Sequence, residues 1–304
     1  MRRSVIPLPL PLSPALPFRP FLRFVGSKRQ LVPELLKHAP ETFRDYHEPF
    51  LGGGALFFAL AGDGRLKSAH LNDANTHLIR TFAGIRTDVD AVIKELRDAA
   101  RHHAEGPAFY YQRMRGIDLG DLARLTSQEV AAWFIYLNKT CFNGLWRVNK
   151  AGRFNVPRDP SKGASAILSP AYESVLHAAD RALESVDTLD AWDFRAALVR
   201  VRRNDLVYCD PPYIPASDTA NFTSYTKSVF GPAEQEALRD EALRLAKKGA
   251  HVILSNSDTE GARKLYDEKR FTLHEVAARR NVNSDATKRG PVGELIIVPK
   301  GKRR

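Results

Sequence analysis

The sequence predicts an α/β protein: a mainly parallel, Rossmann-like sheet covered by helices on both faces and interrupted by a mainly helical insertion. Three observations predict it. Val207-Tyr208-Cys209 is an apolar run that stops abruptly at Asp210-Pro211-Pro212-Tyr213, as a buried parallel strand does where it leaves the sheet. Tyr46-His47-Glu48-Pro49-Phe50-Leu51 leads into Gly52-Gly53-Gly54 and then into the helical run from Ala55 to Leu60, a strand, glycine turn and helix of the nucleotide-binding kind. Between these two units, from about Thr76 to Ala197, the pattern changes to helical periodicity.

The elements follow in order. Residues 5–20 carry six prolines among Leu and Ile, which forbids a helix and favours an extended arm. Arg2-Arg3 before this run has the outline of a signal peptide, but the prolines and the lack of a small-residue cleavage site argue against one. In the first unit Phe57 stands where a dinucleotide fingerprint would place its third glycine, which favours a smaller adenosyl ligand. Ala69-His70-Leu71 is a short strand reaching Asp73, which lies 19 positions beyond Gly54 and is placed to bind ribose hydroxyls. Helices are expected near 76–86, 88–103, 127–139 and 170–184, and a hairpin over Phe142 to Pro157 turning at Asn149 to Gly152. The sheet resumes with a strand at 206–209, a helix at 232–247, a strand at 252–254, a helix at 260–268 and strands near 271–277 and 294–298. The expected organisation is an arm (1–20), a sheet domain (21–75 with 198–304) and an inserted, mainly helical domain (76–197).

Composition narrows the function. The chain has 304 residues, 43% hydrophobic and 27% charged, an ordinary globular balance without the apolar stretch that a membrane span needs. Its two cysteines, Cys141 and Cys209, support neither a disulfide framework nor a zinc site, and point to a reducing cytoplasm. The net charge of +11 is concentrated at the ends. Residues 1–30 hold six Lys and Arg and no acid, and residues 279–304 hold eight against Asp285 and Glu294, so each end carries +6. Basic ends on a near-neutral body point to a polyanion, of which nucleic acid is the usual one.

The Asp210 to Tyr213 corner carries the chemistry. Pro211 and Pro212 cannot continue the ladder and fix φ, making a stiff turn at the sheet edge where α/β proteins bind ligands. A carboxylate, a neighbouring peptide carbonyl and a flat ring together suit an amino group on a planar base.

The chain resembles the Dam-family, alpha-class DNA N6-adenine methyltransferases over residues 21–299. The resemblance rests on Phe24-Val25-Gly26-Ser27-Lys28, Glu48 to Gly54, Asp73-Ala74-Asn75, Tyr136-Leu137-Asn138 through Pro157, Asp210 to Tyr213, and Ala220-Asn221-Phe222-Thr223, in this order. It implies transfer of a methyl group from S-adenosylmethionine to N6 of an adenine flipped out of duplex DNA, within GATC, with no metal. Asp210, Pro211, Pro212 and Tyr213 would be catalytic. Phe24, Lys28, Phe50, Gly52, Gly54 and Asp73, with Asp210, would hold the cofactor. Arg147 would read a guanine through a bidentate fork, Phe142 and Asn143 would enter the space left by the adenine, and Arg23, Leu145 and Pro157 would complete the DNA contact. One departure bears on GATC: Arg158-Asp159-Pro160-Ser161 replaces the family's Phe-Gly-Arg-Tyr after Pro157. The expected partners are double-stranded DNA and S-adenosylmethionine, with a cognate restriction endonuclease as a further candidate. A cytosine-N4 methyltransferase is the alternative within the same chemistry, though that class commonly has Ser where Asp210 stands. A DNA-binding protein with a vestigial site is the alternative from another class, and the joint survival of the glycine turn, Asp73 and the Asp210 corner argues against it.

Overall fold

The computed structural model describes residues 18–24, 28–149, 152–214, 230–279 and 291–300. Most of the proline-rich arm, Val25-Gly26-Ser27, the tip residues Lys150 and Ala151, Ala220 to Thr223, and the basic residues Arg280, Lys288 and Arg289 lie outside the described residues.

Seven strands form one sheet: β1 (Tyr46–Glu48), β2 (Ala69–Asn72), β3 (Val186–Asp190), β4 (Leu206–Cys209), β5 (His251–Ser257), β6 (Phe271–Arg279) and β7 (Pro291–Pro299). Their spatial order is β3-β2-β1-β4-β5-β7-β6. The first five are parallel, while β7 runs antiparallel to both β5 and β6. The chain winds outward from β1 in one direction to β2 and β3, then returns to place β4 on the other side of β1. The β1/β4 boundary is therefore the topological switch point, where the carboxyl ends of neighbouring strands part and leave a crevice.

The helices expected from periodicity form at Thr76–Thr87, Val89–His103, Ser127–Thr140, Pro170–Leu183 and Pro232–Lys248. Local chemistry fixes their starts. The Asn75 side chain accepts from the amides of His77 and Leu78, and Thr126 with Glu129 forms a reciprocal capping box.

Two expectations change. The insertion expected over 76–197 contains β3, which pairs in parallel with β2 and closes one edge of the sheet. Its sequence, Val-Asp-Thr-Leu-Asp, lacks the apolar run of a central strand because four of its five residues are partly exposed at the edge. The chain reversal over 142–157 is present, but two isolated antiparallel bridges, Cys141 to Arg158 and Val148 to Phe154, hold it in place of a regular hairpin ladder.

The insertion also has no core of its own. One continuous apolar cluster joins Tyr46, Leu71 and Tyr208 of the sheet to Phe57 and Phe58, and on to Phe82, Trp133, Trp146, Phe154 and Leu183. Gly84 lets the 76–87 helix lie against the 127–140 helix, since a Cβ there would come within 2.4 Å of the Ser127 carbonyl oxygen. A second cluster, with Val207, Cys209, Leu198, Leu238 and Leu254, fills the opposite face. Among the described residues no helix is long and apolar enough to cross a membrane.

Candidate active site at the switch point

The carboxyl ends of β1 and β4 border an open cavity of about 340 Å³, lined by Phe24, Lys28, Glu48, the turn from Leu51 to Ala55, Tyr208 and Asp210. The turn owes its shape to its glycines. Gly52 and Gly54 have φ of +48° and +67°, a region open to glycine at little cost. A Cβ on Gly52 would meet the Phe24 ring at 3.5 Å, so the bare backbone leaves the cavity floor open beneath that ring.

Asp73 braces this turn. One carboxylate oxygen accepts the Gly52 N–H at 2.9 Å and the other the Asn75 N–H at 2.9 Å. Burial nevertheless pushes its carboxyl above the usual carboxylate range, against those two bonds. Asp73 and Phe50 do not line the cavity. Phe50 packs between Phe194 and Phe230, with ring centroids 5.5 and 5.4 Å away.

Asp210 stands at the end of β4 in a set of four interacting groups. Lys28 Nζ lies 3.3 Å from Asp210 Oδ1 and 3.8 Å from Glu294 Oε2, and sits 4.4 Å from the centre of the Tyr213 ring. Tyr213 in turn donates its hydroxyl to Glu294 at 2.8 Å. Burial and the neighbouring Glu294 push the Asp210 carboxyl up to about 6, with Lys28 opposing them. Glu48, on β1 across the cavity, is fully covered and accepts the Tyr46 hydroxyl at 2.9 Å. Burial raises its carboxyl well above the ordinary range, and Asp210 and Asp73 add to the effect.

The backbone of the corner is clamped from β5 and the following helix. Gln235 donates to the Pro212 carbonyl at 2.7 Å, the Ile214 N–H donates to Asn256 at 3.1 Å, and Ser257 donates to the Ile214 carbonyl at 2.7 Å. A stiff proline turn fixed at three points holds its carboxylate and ring in one geometry, the requirement for positioning a weak nucleophile. Glu294, Gln235, Asn256 and Ser257 are the residues that sequence reasoning missed. Polar residues inside a strand, as in Leu254-Ser255-Asn256-Ser257, were the available signal, since buried polar groups in a parallel sheet need a partner.

The residues expected to contact DNA gather at the reversal beside this cavity. Phe142 is 49% exposed, and Asn143 holds φ 56° and ψ 13°, a left-handed conformation unusual outside glycine. The Phe142 N–H donates to the Pro157 carbonyl at 3.0 Å. The Arg23 backbone is tied to the same turn: Asn138 accepts from its N–H at 2.9 Å and donates to its carbonyl at 2.7 Å, while also donating to Gly144 at 3.2 Å. Leu145 is half-buried at the base of this reversal, and Arg147 is exposed beyond it, with its guanidinium folded onto the Asn155 side chain at 2.7 Å. Beneath them Trp146 stacks on Phe134 at 4.4 Å. Arg158, where the sequence departs from the expected pattern, turns inward to His103 at 3.1 Å.

The comparisons with known proteins agree with this geometry. Residues 24–282 match the family model described as D12 class N6 adenine-specific DNA methyltransferase. The chain belongs to that family. It is 36% identical over 284 residues to the type II methyltransferase M1.LlaDCHI of Lactococcus lactis subsp. cremoris, covering 93% of this chain and 96% of the relative. It is 34% identical to the type II methyltransferase M.MjaIII of Methanocaldococcus jannaschii, covering 92% and 98%, and 32% identical to a DNA adenine methylase of Haemophilus influenzae, covering 94% and 96%. This methyltransferase therefore acts on adenine in DNA, and its seven-stranded, mostly parallel sheet is the fold expected of the class.

Proposed function

We propose that the enzyme transfers a methyl group from S-adenosylmethionine to N6 of an adenine flipped out of duplex DNA, within the sequence GATC. The observation that carries this reading is the clamped Asp210 to Tyr213 corner, standing beside the glycine-floored cavity at the switch point.

The cavity residues fit the cofactor. Phe24 offers an apolar face, Gly52 and Gly54 a backbone that a ligand can approach closely, and Lys28 and Asp210 opposite charges for a zwitterionic amino acid. Asp73 does not line the cavity itself; it uses one lone pair of each oxygen on the turn and would offer the others to ribose hydroxyls. When bound, S-adenosylmethionine supplies a methyl group on a sulfonium, which leaves readily.

The protein's part is positioning. The lone pair of an adenine N6 is delocalised into the ring, so the amine is a poor nucleophile until its hydrogens are held on one side. The Asp210 carboxylate and the Pro211 carbonyl each accept one hydrogen, which favours a pyramidal nitrogen with its lone pair directed at the methyl carbon. The nitrogen becomes acidic only as the new bond forms, so its proton passes to Asp210 or to water without a strong base. The target is out of reach inside a duplex, so the adenine is extruded and Tyr213 stacks on it, a contact typically worth about 1–3 kcal/mol. Phe142 and Asn143 fill the vacated space, and Arg23, Leu145, Arg147 and Pro157 form the reading surface.

Nucleotide-resolution sequencing of modified bases in DNA from cells expressing the chain tests the reading. N6-methyladenine confined to GATC is the expected result. Methylation at another motif would overturn the site preference, and N4-methylcytosine would overturn the target base.

A further inference from the structure

The opposite face of the same strands carries a second constellation that methyl transfer does not use. The β1/β2 register sets His47 directly against His70, with the two rings stacked 4.6 Å apart. Asp45, two residues before His47, falls on the same face. A candidate ligand atom from each of Asp45, His47 and His70 lies within 4.8 Å of the other two. The spacing of 23 residues between the histidines hides the group in the sequence, and only strand pairing brings it together.

Both rings are held from behind. His47 is 2% exposed. Its Nε2 lies 3.0 Å from Asp205 Oδ2, and because an ionised carboxylate only accepts, Nε2 carries the proton. Nδ1 is buried and without a hydrogen-bond partner among the described residues. An orphaned buried acceptor is costly unless something occupies it. Nδ1 of His70 lies 3.2 Å from Thr188 Oγ1, which leaves Nε2 for a ligand when Nδ1 holds the proton. A histidine whose second nitrogen is fixed by a carboxylate or hydroxyl is the usual arrangement behind a metal ion.

We propose that Asp45, His47 and His70 bind a divalent first-row transition-metal ion of the zinc class, joining β1 to β2. Two imidazoles and one carboxylate suit zinc and its neighbours, whereas magnesium and calcium prefer all-oxygen sets. Ligand atoms about 2.1 Å from a tetrahedral ion stand roughly 3.4 Å apart, so binding draws the three side chains together from within 4.8 Å and turns one ring out of the stack. A narrow cavity beside the two rings is lined also by Thr188, Asp190 and Arg200. The charges around the site are partly balanced. Arg44 pairs with Asp45 at 3.1 Å and with Asp205 at 2.9 Å, and Arg200 pairs with Asp190. Binding requires Arg44 to release Asp45 while keeping Asp205.

The test is zinc titration of metal-stripped, untagged protein against a chromophoric chelator, with the melting temperature followed in parallel. Wild type should take up about one equivalent with micromolar or tighter affinity and melt at a higher temperature when loaded. His70→Ala and Asp45→Asn should each weaken binding at least tenfold. His38→Ala is the control, because His38 and His274 form a second stacked imidazole pair, 4.1 Å apart, and it should bind zinc as wild type does. Less than about a tenth of an equivalent in wild type, or a loss with His38→Ala and none with His70→Ala, would overturn the proposal. If the His70 or Asp45 variants fail to fold, zinc K-edge absorption of loaded wild type decides: two imidazoles in the coordination shell support the site, and one or none sinks it.

Discussion

Asn138 grips the backbone of Arg23 from both sides, accepting from its N–H and donating to its carbonyl, across 115 residues of sequence. The next residue, Phe24, lines the switch-point cavity, while a third bond from Asn138 reaches Gly144 in the exposed turn. One buried amide thus ties the cavity wall to the surface expected to enter DNA.

Asn138→Ala should leave up to three backbone groups without their partners and destabilise the protein by about 1–3 kcal/mol. Affinity for duplex DNA should fall at least tenfold while cofactor affinity changes little, because Phe24 stays packed over Gly52. Thermal denaturation and separate calorimetric titrations with DNA and S-adenosylmethionine check this, and equal losses for both ligands would contradict it.

In the proposed mechanism Asp210 must be ionised to accept an amine hydrogen, and its carboxyl is pushed up to about 6. The rate of methyl transfer should be level above that pH and fall about tenfold per unit below it. Lys28 opposes the rise, so Lys28→Gln should move the acid limb to higher pH as well as slow the reaction. Asp210→Ala should fold and lose more than tenfold in rate, over 1.4 kcal/mol in the barrier. Single-turnover methylation across pH 5 to 8 is the measurement.

Glu48 has a folded-state carboxyl raised well above its unfolded value. A carboxyl of this kind costs stability as pH rises above the unfolded value, since the unfolded chain then ionises more freely. Glu48→Gln keeps a hydrogen-bonding side chain for Tyr46 and removes that cost. Its melting temperature should gain on wild type between pH 5 and pH 7.5, and a constant difference across that window would remove the argument.

Arg147 tests how the site is read. A bidentate arginine gives about 1–3 kcal/mol of discrimination, so Arg147→Ala should reduce the preference for GATC over single-guanine variants by tenfold or more. A phosphate contact would lower activity on all duplexes by one factor. Asn155 holds the guanidinium folded back, so Asn155→Ala should leave that preference intact. Methylation efficiencies on GATC and on each altered duplex, at one salt concentration, separate these outcomes.

What the sequence disclosed depended on how local the signal was. The glycine turn and the Asp210 corner are continuous stretches whose residue types dictate backbone shape, and the amphipathic helices announce themselves by period. β3 escaped because an edge strand has no apolar run. Glu294 escaped because its meeting with Lys28 and Tyr213 depends on β7 pairing antiparallel to β5, a long-range register that no short window contains. Gln235 and Asn256 read as ordinary polar residues until the proline corner lies between them.

The unbroken apolar cluster from Tyr46 to Trp146 and Phe154 carries a consequence for how such enzymes diversify. A recognition unit with its own interior can be traded between proteins as a cassette, its boundary cut through solvent. Here the cut would pass through packed rings, so the helices beneath the 142–157 reversal cannot be exchanged without emptying the interior of the sheet. If the 142–157 reversal reads DNA as proposed, new target sequences would be reached by replacing its exposed side chains one at a time over a fixed foundation. Chimeras that swap residues 76–185 between distant relatives should fail to fold where variants of the reversal alone succeed.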